Sequence, residues 1–223
     1  MTHATAPGPS TPYDPPSGPI PVIHEDAHLL VVDKPHGLLS VPGRGADLAD
    51  CLIARLAEDW PEVLLCHRLD RDTSGIMVFA LTKAAQRKMG RLFETKRVKK
   101  RYIARVWGEV PGVEGVVDLP LIVDWPNRPL QHVNHEIGKP SVTEWKRIAI
   151  EDGTTRMALF PRTGRSHQLR VHMKALGHPI LGDPFYAEGP ARDFPRMMLH
   201  AEGLKFEHPI EGRMMRLEAP CPF

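Results

Sequence analysis

The sequence predicts a strand-rich α+β fold, and three observations carry that reading. Short apolar runs bounded by Pro, Gly and charged turns recur from Val22 to Leu217. Three segments carry helical spacing instead, starting near Asp47, Thr82 and Ser166. The composition, 42% hydrophobic and 25% charged over 223 residues, is that of a soluble globular domain. A chain of this size hides roughly 70% of its unfolded surface, so it needs neither disulfides nor a metal to hold its core. Cys51, Cys66 and Cys221 are odd in number and widely spaced with no CxxC pair, which fits reduced thiols in a cytoplasmic protein. No stretch approaches a membrane span, and no apolar signal core opens the chain. The net charge of +2 says little, because partners respond to where charge sits.

Residues 1–19 hold six prolines among small residues, so this stretch is expected to be a disordered tail before a single domain over 20–223. Val22-Ile23 and Leu29 to Val32 flank the polar segment His24 to His28, a strand-turn-strand pattern that Lys34-Pro35-His36-Gly37 ends. From Asp47, a plausible cap, Leu48, Cys51, Leu52, Leu56 and Trp60 recur at helical spacing until Pro61.

The turn His67-Arg68-Leu69-Asp70-Arg71-Asp72-Thr73-Ser74-Gly75 then leads into the apolar run Ile76 to Leu81. It sets Asp70 between Arg68 and Arg71, where a plain turn would carry Gly, Asn or Ser. Such charge density suggests a site, although the nonapeptide alone also fits a turn that Asp70 caps and Arg68 solvates. Thr82 can cap a helix with Ala85, Met89, Leu92 and Phe93 on its inner face. Its outer face is basic: between Lys83 and Arg105 ten Lys and Arg stand against the single acid Glu94. Solvated helix faces usually alternate sign to gain i,i+4 pairs, so this run points to a polyanion, with nucleic acid the leading partner.

Arg101 to Val110 alternates and turns Tyr102 inward with Ala104 and Val106; alone, such a tyrosine also fits a core position with a satisfied hydroxyl. Val116 to Val123 reads as a strand, and Asp124-Trp125-Pro126-Asn127-Arg128-Pro129 as either an RNA-contacting insert or a turn. Val142 to Ile150 and Thr154 to Phe160 form a hairpin about Asp152-Gly153. The acid-free stretch Arg162-Thr163-Gly164-Arg165-Ser166-His167-Gln168-Leu169-Arg170-Val171-His172 predicts a helix capped by Ser166, with Arg165 beside its positive N-terminus. His167, His172 and His178 lack metal-ligand spacing, with no thiolate or carboxylate near, so no metal is expected. Met197 to Phe206 and Arg213 to Leu217 close the chain as strands.

Four of these segments, in order, closely resemble the motifs of the RluA family of pseudouridine synthases: His67 to Gly75, Lys100-Arg101-Tyr102-Ile103-Ala104, Arg162 to Arg170, and Leu199-His200-Ala201. Val41-Pro42-Gly43-Arg44 and Asp124 to Pro129 resemble its short branch, which modifies 23S ribosomal RNA and the anticodon loop of transfer RNA and lacks an S4 domain. The resemblance implies a mixed, mainly antiparallel sheet of two halves with flanking helices and a basic central cleft. It implies catalysis without a cofactor by Asp70, Tyr102 and Arg165, the last keeping Asp70 ionised. Arg68 would fill the space left by a flipped base, and Arg71, Lys83, Arg87, Lys99, Lys100, Arg101, His167 and Arg170 would hold RNA. A monomer is the default. Two alternatives from the residues stay open: a non-catalytic RNA-binding protein, and a base-releasing glycosylase; within the family, another ribosomal site is the alternative target.

Overall fold

The computed structural model describes residues 12–223. In chain order it holds β1 (Val22–Glu25), β2 (Leu29–Lys34), α1 (Leu52–Asp59), β3 (Leu64–Leu65), β4 (Ser74–Ala80), α2 (Lys83–Glu94) and β5 (Lys99–Trp107). There follow β6 (Glu114–Asp118), β7 (Leu121–Val123), β8 (Gln131–Val133), β9 (Val142–Glu151), β10 (Thr154–Pro161), α3 (Gln168–Ala175), β11 (Leu199–Glu207) and β12 (Met214–Glu218). This is the expected α+β composition, with few helices.

The chain divides into two compact units, one of Tyr13–Tyr102 with Leu199–Phe223, the other taking in Ile103–Met198. In the first, strands pair in the order β1-β2-β4-β11-β5, with β3 on β4 and β12 on β11. The sheet is mixed: β2 runs antiparallel to β4, and β11 runs parallel to it. All seven residues of β4 are buried, as its unbroken apolar run requires of a strand covered on both faces. Leu52 and Leu56 of α1 and Ala85, Met89 and Leu92 of α2 pack on this core. Thr82 caps α2 as expected, its hydroxyl accepting the Ala85 N–H at 3.2 Å. In the second unit the order is β5-β10-β9-β6, with β7 and β8 a separate antiparallel ribbon. The expected hairpin is β9 with β10.

Four expectations change. Helix α1 starts at Leu52 rather than Asp47, because the Leu52 and Ile53 N–H groups donate to Leu39 and Ser40 carbonyls and need no side-chain cap. The strand over 116–123 is broken at Pro120, which has no N–H to give a ladder. His167, in the left-handed region at φ 53°, caps α3 in place of Ser166; Gln168 Oε1 accepts the Arg165 N–H there. The expected tail lies outside the described residues over 1–11, but Tyr13 and Pro16 are tied down. Tyr13 donates its hydroxyl to the Asp50 carbonyl and accepts from Leu39 N–H, and Arg55 donates to the Pro16 carbonyl.

Candidate active site

The Asp70 turn is pinned at both ends and along its middle. At its exit, Ser74 and Gly75 lie opposite His200 and Ala201 in the parallel pair of β4 and β11. Gly75 has φ +116°, and a Cβ there would sit 2.2 Å from the Ala201 carbonyl oxygen, so only glycine lets the two strands meet. His200 Nε2 donates to the Ala219 carbonyl at 3.0 Å, which leaves Nδ1 to accept the Ser74 hydroxyl at 2.9 Å. Thr-Ser-Gly and Leu-His-Ala are therefore two halves of one joint. At its entrance, His67 Nε2 accepts the Val78 N–H at 3.0 Å, and the ring packs on Phe93 at 4.8 Å. Burial first, and the Lys100 charge second, lower the His67 pKa to about 3, so the ring stays neutral and keeps that lone pair.

Between these ends, Ser40 Oγ donates to the Leu69 carbonyl at 2.7 Å and accepts its N–H at 3.2 Å. His36 Nδ1 meets the Asp72 carbonyl at 2.8 Å, and Gly37 N–H donates to Arg71. Lys34, wholly buried, donates from Nζ to the carbonyls of Pro35, Leu38 and Arg71 at 2.9, 2.6 and 2.9 Å. Arg71 grips Asp72 through two bonds of 2.8 and 3.1 Å. Asp70 itself is half-buried, and its carbonyl accepts the Thr73 N–H.

Tyr102, on β5 of the same unit, has its pKa raised by burial and then by the Asp70 carboxylate. A phenol held above its ordinary value of 10 keeps its proton at neutral pH, so Tyr102 offers an aromatic face and an O–H rather than a phenolate. Lys100 is half-buried, and burial lowers its pKa to about 8. Arg68 is exposed, as are Lys83, Arg87, Lys88 and Arg91 on α2 and Lys99 at the start of β5. The basic run is partly answered by acids distant in sequence: Arg101 pairs with Glu202, Arg97 with Glu207 at 2.6 Å and Arg105 with Glu151 at 3.5 Å. Counting charge along the chain overstates it for that reason.

In the second unit Arg165 is exposed, and its Nε lies 3.5 Å from the Pro140 carbonyl. His167 Nδ1 meets the Tyr186 hydroxyl at 2.7 Å. Arg170 does not offer the surface contact expected of it: its side chain is 2% exposed and grips Asp183 through two bonds of 2.7 Å. The three histidines go separate ways, His172 to Thr143 and the Leu119 carbonyl, His178 to the Trp107 carbonyl.

A match to the family described as RNA pseudouridylate synthase runs over residues 28–175, about two thirds of the chain. The chain belongs to that family. As an RNA pseudouridine synthase it is 53% identical over 214 residues to the dual-specificity RNA pseudouridine synthase RluA of Escherichia coli (strain K12), covering 95% of this chain and 98% of that one. The Vibrio vulnificus (strain CMCP6) protein of the same description is 52% identical over 218 residues, covering 95% and 87%. Among solved structures, human RNA pseudouridylate synthase domain containing 1 superposes with a TM-score of 0.75 at 30% identity, covering 97% of this chain and 87% of that one.

In this synthase, sequence reasoning missed Lys34, which reads locally as the polar end of a strand. No local signal marks it, because a lysine at the end of a strand ordinarily carries its ammonium to water, and here the Arg71 carbonyl that helps hold it is 37 positions away. Lys34→Met removes the donor from three carbonyls at once, and we expect a loss of about 2 kcal/mol or more in urea unfolding, with a fall in turnover as the Asp70 turn loosens. A variant as stable and as active as the wild type would show that the turn does not depend on this ammonium.

Proposed function

We propose that this enzyme converts uridine to pseudouridine in both 23S ribosomal RNA and the anticodon loop of transfer RNA, acting as a cytoplasmic monomer through a catalytic domain over 20–223. The observation that carries the chemistry is the Asp70 turn, clamped by Lys34, His36, Ser40, His67 and Ser74 with a protonated Tyr102 beside it. The double substrate is supported by near full-length identity to relatives described as dual-specificity.

Asp70 either attacks ribose C1′ and displaces uracil through N1, or takes the C2′ proton to give a glycal as the same bond breaks. Both routes need the carboxylate ionised, which the resemblance assigns to Arg165. The detached base turns over the Tyr102 ring and C5 bonds to C1′, as Asp70 either leaves that carbon in the covalent route or returns its proton to C2′ in the glycal route; the C5 proton then leaves for solvent as N1 gains one. The target must first be unstacked, which costs a few kcal/mol and is cheapest in a loop, with Arg68 filling the gap. Lys83, Arg87, Lys99, Lys100 and Arg101 hold phosphates, supplying affinity while loop shape supplies selectivity. Arg71 and His167 are occupied by Asp72 and Tyr186, so their part is to shape the turns that meet RNA.

The test uses transcripts of a transfer RNA and of a 23S fragment carrying tritium at uracil C5. We expect release of label to water from both, without free uracil. Free uracil would favour a glycosylase, release from one RNA alone would end the double assignment, and binding without release from either would favour a protein that only binds RNA.

A further inference from the structure

Of the four tryptophans, Trp125 is the most exposed, at 65%, although its neighbours on the chain make a tightly bonded loop. It stands in the turn between β7 and β8. Asp124 N–H donates to the Leu130 carbonyl at 2.8 Å, Asn127 N–H to Asp124 and Leu130 N–H to Asn127, each at 3.0 Å, and the Asn127 amide donates to the Asp124 carboxylate at 2.9 Å. The ribbon beneath is equally fixed. Leu121 exchanges two backbone bonds with Lys139, and Gln131 N–H donates to the Tyr186 hydroxyl at 2.9 Å. Leu121, Val171 and Tyr186 form a small buried core, with Leu130 and Val133 packed on it.

An indole left in water on a rigid loop forgoes the burial that usually stabilises so large an apolar ring. Folding does not explain it, because the loop closes through main-chain bonds and the Asn127 side chain. Arg128 lies over one face of the indole with its guanidinium carbon 4.0 Å from the ring centre, which holds the ring in one pose, places a positive charge on that face and leaves the opposite face for a ligand. Along the same loop and into β8, Asp124, Asn127, Gln131 and His132 are polar. The exposed apolar groups of this loop are thus one indole and two prolines, Pro126 and Pro129, a surface suited to one aromatic base that carries a phosphate.

We propose that Trp125, braced by Arg128, is a stacking platform for one unpaired nucleobase of the RNA substrate, apart from the uridine that is isomerised. Tyr186 ties this platform to the turn that carries Arg165, since one hydroxyl meets both Gln131 N–H and His167 Nδ1. A base seated on the indole holds the substrate against that half of the enzyme. The proposal rests on the enzyme's RNA reading but not on which base it isomerises.

The experiment measures binding and turnover separately, with Trp125→Ala, Trp125→Phe and Trp125→Leu. The probes are a labelled transfer-RNA anticodon stem-loop transcript and a fully paired RNA duplex of the same length. Stacking on an aromatic is worth about 1 to 3 kcal/mol per base, so Trp125→Ala should weaken stem-loop binding roughly tenfold or more. Phe should restore most of it and Leu should not, while kcat and duplex binding stay unchanged. Equal stem-loop affinity of the wild type and Trp125→Ala, including no binding by either, overturns the platform. So does rescue by Leu as full as by Phe, or an equal loss on the duplex. A wild type that binds the stem-loop but releases no tritium counts against the isomerase reading alone, and leaves the comparison of affinities to decide the platform.

Discussion

Asp70→Asn will lower tritium release by at least about a thousandfold while leaving RNA affinity within a fewfold of the wild type. The substitution keeps shape and removes only what the chemistry uses. An amide neither attacks C1′ nor accepts the C2′ proton at neutral pH, so both routes fail together. On the proposed reading, binding is led by the exposed bases on α2 and at the start of β5, none of which the substitution touches. The same substitution has a second readout. Part of the rise in the Tyr102 pKa comes from the Asp70 charge, so removing that charge should let the phenol ionise at lower pH, while burial keeps it above 10. Ultraviolet titration would follow this shift. Turnover within tenfold of the wild type would remove Asp70 from the reaction.

The parts of the fold that were legible in the sequence are those whose cause is local. β1 with β2, the β9–β10 hairpin and the Thr82-capped α2 each follow from periodicity and turn residues within a short window. What was missed depends on partners brought from elsewhere in the chain. The start of α1 is set by the carbonyls of Leu39 and Ser40, and two of the ten bases in the run from Lys83 to Arg105 are answered by Glu202 and Glu207 on β11. The site divides in the same way. The charge density of the Asp70 turn marks it in the sequence, but Lys34, His36 and Ser40 lie more than thirty positions from the bonds that Lys34 and His36 make to it and 29 from the one Ser40 makes. Arg170 makes the same point against the resemblance, which made it an RNA contact: Asp183, 13 residues on, folds back on it and holds its guanidinium fork in the core.

That pair should be among the most expensive to break. Arg170 and Asp183 are 2% and 0% exposed, and their two bonds of 2.7 Å match guanidinium to carboxylate. Asp183 Oδ1 also accepts the N–H groups of Phe185 and Tyr186, and the guanidinium lies 5.2 and 5.1 Å from the centres of those rings. Arg170→Met strands a carboxylate in the interior and should cost about 3 to 5 kcal/mol, or roughly 10 °C in Tm for a chain of this size. An exposed pair such as Arg162 with Glu144 is screened by water and contributes far less. The double variant Arg170→Met/Asp183→Asn tests whether the stranded charge is the cause. Asparagine keeps an oxygen for the Phe185 and Tyr186 N–H groups but carries no charge, so the double variant should lose clearly less than the two single losses added together. Strict additivity, or an Arg170→Met protein within about 1 kcal/mol of the wild type, would show that burial of this pair is incidental. Because Tyr186 also meets His167 two residues after Arg165, the single variants should lose turnover as well as stability. An active but unstable Arg170→Met enzyme would confine the pair to the core.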